Sequence, residues 1–139
     1  MKSSTIYYGI IPLGGSKMND YIINFLKKIM AIDSPSGYTK EVIHYCQKEA
    51  EKLGFQTKKT HKGNLEIYVE GQDDYTVGFC GHVDTLGLMV RSIKSDGTLA
   101  FTNVGGPIIP TLDGEYCRIH TRSGKCYTGT ILSNYPAVH

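Results

Sequence analysis

His82 and Asp84 are the residues whose types and spacing could do chemistry. They close the run Thr76–Leu88, TVGFCGHVDTLGL, which opens apolar and β-prone and ends polar. Such a run reads as a buried strand that delivers side chains to the edge of a sheet. Two positions apart on an extended backbone, the two side chains point the same way. A neutral imidazole is the commonest protein ligand for zinc and similar metals. A carboxylate beside it can accept its other N–H, which fixes the tautomer and raises its basicity. His82 is thus a candidate metal ligand, and Asp84 a candidate to orient it or its bound water. The three-residue pattern is short, and a lone histidine near a strand end is more often structural than a ligand.

The elements that must position this pair can be read from periodicity. Ile22, Ile23, Leu26, Ile29 and Met30 recur at three- and four-residue steps, one apolar stripe of a helix that runs from Asn19 to near Asp33. Ser34-Pro35-Ser36-Gly37 breaks it, because the residue before proline avoids the α region. Thr39 is placed to cap a second helix, with the stripe Val42, Ile43, Cys46, Ala50 and Leu53, and Gly54 is its stop. Strands are expected over 55–60, 65–70 and 76–81, the last carrying His82. Two helices followed by three strands read as the start of an α/β domain.

From Leu88 the texture changes. Strands over 88–93 and 98–104 flank the turn Ser95-Asp96-Gly97. Strands over 115–121 and 126–132 flank Ser123-Gly124. Four short strands without an intervening helix suggest a separate β-rich module, a small barrel. Arg118 and His120 alternate with apolar or small neighbours, as outward-facing residues should. His44 falls beside the stripe of the second helix and reads as a helix-surface or packing residue, and His61, next to a turn, has no partner at ligand spacing and reads as structural.

Composition bounds the partners. At 139 residues, 40% hydrophobic and 20% charged, the chain suits a globular protein with a real core. A formal charge of +2 is too small to argue for a nucleic-acid or membrane partner. No run approaches the ~20 apolar residues of a membrane helix. Cys46, Cys80, Cys117 and Cys126 form no CxxC pair and read as reduced thiols, which points to the cytoplasm. Cys117 and Cys126 could face each other across a hairpin. Residues 1–17 read as a loose extension, with Met18 opening the folded part and Gly9 and Pro12 interrupting the only apolar patch.

Several ordered motifs carry a more specific signal. SPSGYTKEV, KGNL, GHVDTLGLMVRSIKSDGTLAF, VGG and RIHTRSGKCYTGTI resemble the start of a glutamyl aminopeptidase-like metallopeptidase, the family of tetrahedral aminopeptidases. Some members of that family have been labelled endoglucanase or cellulase. The resemblance implies that residues 18–87 form the N-terminal part of a mixed-sheet metallopeptidase domain. Residues 88–139 would then belong to an inserted β-rich dimerisation domain. His82 matches the family's first metal-binding histidine and Asp84 the active-site aspartate two residues later. The resemblance further implies two divalent metal ions, zinc or cobalt, a peptide substrate, and dimers that build a dodecamer. Where the family usually has Glu after His-x-Asp, this chain has Thr85, which puts substrate preference in doubt. The bridging aspartate, paired glutamates and later aspartate and histidine of the family fall beyond residue 139. These residues alone are therefore expected to lack peptidase activity.

Two other functional classes compete with a metal-dependent aminopeptidase. One is a non-catalytic assembly or binding module in which the β-rich half acts and His82 is vestigial. The other is a glycosidase, which usually needs two carboxylates flanking the scissile bond; no carboxylate pair here is distinguished.

Overall fold

The computed structural model describes residues 15–133. The chain divides into two compact units that part between Thr85 and Leu86. Most of the expected N-terminal extension lies outside the described residues, but Gly15 to Lys17 are already helical.

In the first unit, helix α1 spans Gly15–Ala31 and helix α2 spans Lys40–Lys52. The two meet through aromatic rings. Phe25 stacks on Tyr45 at 5.9 Å between centroids, and Tyr21, one turn earlier, stacks on Phe25 at 6.3 Å. The aliphatic stripe read from the sequence is real but uncovered, for Ile22, Ile23, Leu26 and Met30 all remain exposed. Periodicity identifies which face is apolar; it does not say what covers it.

The loop between the helices turns at Pro35–Tyr38, where the Tyr38 N–H donates to the Pro35 carbonyl at 2.7 Å. Gly37 takes φ 87° at the third position, the left-handed conformation that a type II turn requires there. Thr39 occupies the N-cap of α2 without capping through its side chain, contrary to expectation. The helix ends as Gly54 dictates. At φ 85°, Gly54 lets its own N–H reach the Glu51 carbonyl (3.0 Å) and the Phe55 N–H reach that of Ala50 (3.1 Å). That pair of bonds is a Schellman motif. Val42 and Ala50, on the inner face of α2, are the buried apolar residues among those described.

Strands β1 (Gln56–Lys59) and β2 (Leu65–Tyr68) form an antiparallel hairpin, with Gln56 opposite Tyr68 and Lys59 opposite Leu65. A polar triad ties it to α2. Gln47 Nε2 donates to Glu51 Oε1 (2.8 Å) and Thr57 Oγ1 (3.2 Å), and the Thr57 hydroxyl donates to Glu51 (2.9 Å).

The strand expected over 76–81 is absent among the described residues. This stretch pairs with no other backbone, and Phe79 is 96% exposed. A strand exists by its ladder, and an apolar pattern supplies no partner.

The second unit holds two hairpins. Strands β3 (Gly87–Ile93) and β4 (Leu99–Val104) pair antiparallel, with a register shift between Val90 and Ser92. Strands β5 (Tyr116–His120) and β6 (Cys126–Thr130) pair with Tyr116 opposite Thr130 and His120 opposite Cys126. Asp113 closes the open end of the second hairpin, accepting from the Ser133 N–H (2.7 Å) and hydroxyl (3.2 Å). Each hairpin is its own two-stranded sheet. The expected barrel is not formed among the described residues, since a barrel needs one continuous closed ladder. Cys117 lies opposite Gly129 and Cys126 opposite His120, so the two thiols do not face each other, and all four cysteines are free. Arg118 and His120 are exposed, as expected.

Candidate metal centre

Because segment 76–84 joins no ladder, its end is held by the loop between the helices. Ser34 is fully buried, and its hydroxyl donates to the Val83 carbonyl at 3.0 Å. The Ser34 carbonyl in turn accepts the Thr85 N–H at 2.9 Å, and Pro35 and Thr85 form an isolated parallel bridge. One residue further along, the Ser36 hydroxyl donates to Asp84 Oδ2. The Ser-Pro-Ser cluster that stops α1 therefore also grips residues 83–85.

Asp84 uses its other oxygen on the histidine. His82 Nδ1 lies 3.0 Å from Asp84 Oδ1 and 3.2 Å from the Asp84 carbonyl oxygen. The two side chains meet as expected, although the backbone that carries them is not in a sheet. The Ser36 hydroxyl, and after it the His82 ring, holds the Asp84 carboxyl below the usual carboxylate range. Asp84 is thus an ionised, pure acceptor at neutral pH. Facing two acceptors, Nδ1 carries the proton, which leaves the lone pair on Nε2.

The His82 side chain is 84% exposed and that of Asp84 39%. A carboxylate-held imidazole with its second nitrogen open is the form that metal-binding histidines take. The pair fits one ligand position of a metal site. Among the described residues no group of three or more His, Cys, Asp or Glu side chains gathers to hold an ion. His44 and His61, read as structural, are both exposed and join no such group. The pair borders an open groove that Phe25, Ile43, Ala50, Leu65 and Ile67 also line.

In the sequence, Ser34 and Ser36 stand out as part of a helix stop and of the SPSGYTKEV motif, with no role at the His82 site. The available signal was their chemistry. Hydroxyls flanking a proline in a tight loop are donors whose bonds must go somewhere, and here they go to the segment that bears the histidine.

The family model for the M42 glutamyl aminopeptidases matches residues 63–139, more than half of the chain and the part that includes His82 and Asp84. The chain belongs to the M42 glutamyl aminopeptidase family. Among curated relatives of this M42 chain, YhfE of Bacillus subtilis (strain 168), which is named as a putative aminopeptidase, is 42% identical over 118 residues. The glutamyl aminopeptidase of Lactococcus lactis subsp. cremoris (strain MG1363) is 28% identical over 102 residues. These alignments cover 84% and 72% of this chain but 34% and 29% of the relatives.

Solved structures agree. The TET aminopeptidase of the marine sediment archaeon Thaumarchaeota archaeon SCGC AB-539-E09 matches with a TM-score of 0.77 at 28% identity. The Pyrococcus horikoshii TET1 peptidase, which can assemble into a tetrahedron or a large octahedral shell, matches at 0.70 and 30%. Each match covers 84% of this M42 chain, and 33% and 34% of the respective neighbour. The chain spans about a third of the length of its relatives. Its mixed helix-and-strand fold is that of the corresponding part of a TET aminopeptidase. No helix among the described residues is long and apolar enough to cross a membrane.

Proposed function

We propose that this chain supplies the N-terminal part of a dinuclear, metal-dependent aminopeptidase that removes N-terminal residues from peptides. The observation that carries the reading is the 3.0 Å contact between His82 Nδ1 and Asp84 Oδ1, inside the stretch that matches the M42 family. His82 binds one of two divalent ions, zinc or cobalt, through Nε2. Asp84 holds the ring in the tautomer that leaves Nε2 free and raises its basicity. A divalent ion held there would lower the pKa of its water towards about 7 and would polarise the scissile carbonyl. The chain's own share of that work is to fix the imidazole and keep Asp84 ionised.

A catalytic zinc site takes about three protein ligands and an open position. The described residues gather no such set around His82, and on this reading the chain does not turn over peptides by itself. Residues 88–139 belong to a β-rich assembly domain, through which dimers build a dodecamer in the cytoplasm. The assembly of the Pyrococcus horikoshii TET1 peptidase supports that part of the reading.

Aminoacyl p-nitroanilide hydrolysis with added Co2+ or Zn2+ tests it. The chain alone should give no turnover. Mixed or co-expressed with a polypeptide that covers the remaining two thirds of Bacillus subtilis YhfE, it should gain an activity that His82→Ala abolishes. Turnover by the chain alone would refute the incomplete-site reading. Complemented activity that survives His82→Ala would remove His82 from the site. A complemented assembly that forms and never turns over would favour a non-catalytic assembly module.

A further inference from the structure

We infer that Ser36 is a positioning residue for the metal-binding histidine, acting through Asp84; this rests on His82 being a ligand as proposed above. The geometry is a three-member chain. The Ser36 hydroxyl donates to Asp84 Oδ2, and Asp84 Oδ1 lies 3.0 Å from His82 Nδ1. Each carboxylate oxygen has one side-chain partner, so the plane of the carboxylate is set from the Ser36 side and passed on to the imidazole.

This matters because little else fixes the carboxylate. Residues 76–84 form no ladder, and both Asp84 and His82 keep exposed side-chain surface. The backbone of 83–85 is pinned by Ser34, which leaves the χ angles of Asp84 free unless a second group holds them. A carboxylate with one oxygen unheld rotates, offers either oxygen to the ring, and competes with water for Nδ1–H. Ser36 removes that freedom. The Pro35–Thr85 bridge sets the residue just before Ser36 beside this segment, and Gly37, at φ 87°, turns the chain away directly after it. The loop that separates the helices thereby pre-organises a ligand before any metal or further ligand arrives.

The same chain of contacts predicts what is tolerated. Threonine keeps the hydroxyl and can take over the bond. Valine has the shape of threonine without the hydroxyl, so the pair isolates the hydrogen bond from packing.

The experiment is long-range 1H–15N correlation of the His82 ring in the 139-residue chain, comparing the parent with Ser36→Thr and Ser36→Val, before and after addition of Zn2+. In the parent and in Ser36→Thr, the proton should reside on Nδ1. In Ser36→Val it should redistribute towards Nε2. Zn2+ affinity read at His82 Nε2 should fall roughly 3- to 10-fold in Ser36→Val, less than the 10- to 100-fold typical when a ligand's direct partner is lost. The methyl resonances of Val42 and Ala50 report that the helices remain folded. An identical tautomer in Ser36→Thr and Ser36→Val overturns the inference. A tautomer difference with no Zn2+ response at His82 in any form supports the Ser36 link and removes the metal reading alone.

Discussion

Ser34 and Val83 lie 49 residues apart in sequence and share a hydrogen bond of 3.0 Å, the buried Ser34 hydroxyl donating to the Val83 carbonyl. With the Thr85 N–H bonded back to the Ser34 carbonyl, the bond fastens the segment that carries His82 to the loop between the helices. Replacing Ser34 by alanine removes one buried donor and leaves the Val83 carbonyl without it, a cost of about 1–2 kcal/mol. Native-state hydrogen exchange at the Thr85 amide should then quicken by roughly 5- to 30-fold. An unchanged rate would mean that the segment is anchored elsewhere.

Asp96 gives a pH dependence with a definite sign. Its Oδ1 accepts from the Thr98 hydroxyl at 2.7 Å and from the Thr98 N–H at 2.9 Å, and these bonds hold the carboxyl below its ordinary value. Its folded pKa therefore lies below its unfolded one. The contribution to the β3–β4 turn is fully present above the unfolded value of about 3.9 and is lost as pH falls through the folded pKa. The Thr98 amide shift, followed into acid, should titrate with a midpoint below about 3.9, and Asp96→Asn should abolish the step. A midpoint at or above the ordinary value contradicts the bonding.

Local signals were legible in the sequence where one residue carries the whole reason. Gly54 ends α2 because only a left-handed residue closes the Schellman pair. Gly97 and Gly124 mark the β3–β4 and β5–β6 turns in the same way, at φ 84° and 82°. His82 and Asp84 were legible as a pair because their spacing alone brings the side chains together. Long-range partners were not. The apolar run 76–81 has the composition of a buried strand, yet its ladder depends on residues that no local pattern names. Ser36 was hidden for the converse reason: its role depends on Asp84, 48 positions away.

The hairpin β5–β6 settles a redox question. Cys117 sits opposite Gly129 and Cys126 opposite His120, which puts the thiols on opposite faces of the two-stranded sheet. A disulfide needs Cα atoms within about 7 Å and Cβ vectors that converge. Mild oxidation should therefore leave no Cys117–Cys126 link within one chain. A cross-linked peptide of those two cysteines, found by mass spectrometry in monomeric material, would show that the register is wrong.

Gly105 separates conformational from steric cost in the second unit. It holds φ 76°, and a Cβ there would come within 2.6 Å of Leu86 Cδ2. The left-handed conformation alone costs a non-glycine residue roughly 1–2 kcal/mol. The Leu86 side-chain tip can move aside, so the clash adds less. Gly105→Ala should destabilise the β3–β4 hairpin by about that amount, read as faster amide exchange in β4. Adding Leu86→Ala should recover only the smaller, steric part. Gly106, where a Cβ meets nothing within 4 Å, is the control. Equal effects at Gly105 and Gly106 would defeat the argument.

The uncovered apolar surface of the first unit predicts self-association of the 139-residue chain. Ile22, Leu26 and Met30 leave one face of α1 exposed, and Phe79 stands 96% exposed on a stretch whose backbone has no ladder partner. An apolar face gains from burial, and an unpaired extended segment offers its N–H and C=O groups to another chain. Burying one large aliphatic or aromatic side chain is worth about 1.5–3 kcal/mol, and about 1.4 kcal/mol is tenfold in an association constant. Ile22→Lys with Phe79→Asp should therefore weaken association by at least about tenfold without touching His82, Asp84 or Ser36. Sedimentation equilibrium over a concentration series measures it directly. Should the parent chain sediment as a monomer throughout and unfold cooperatively, these faces need no cover.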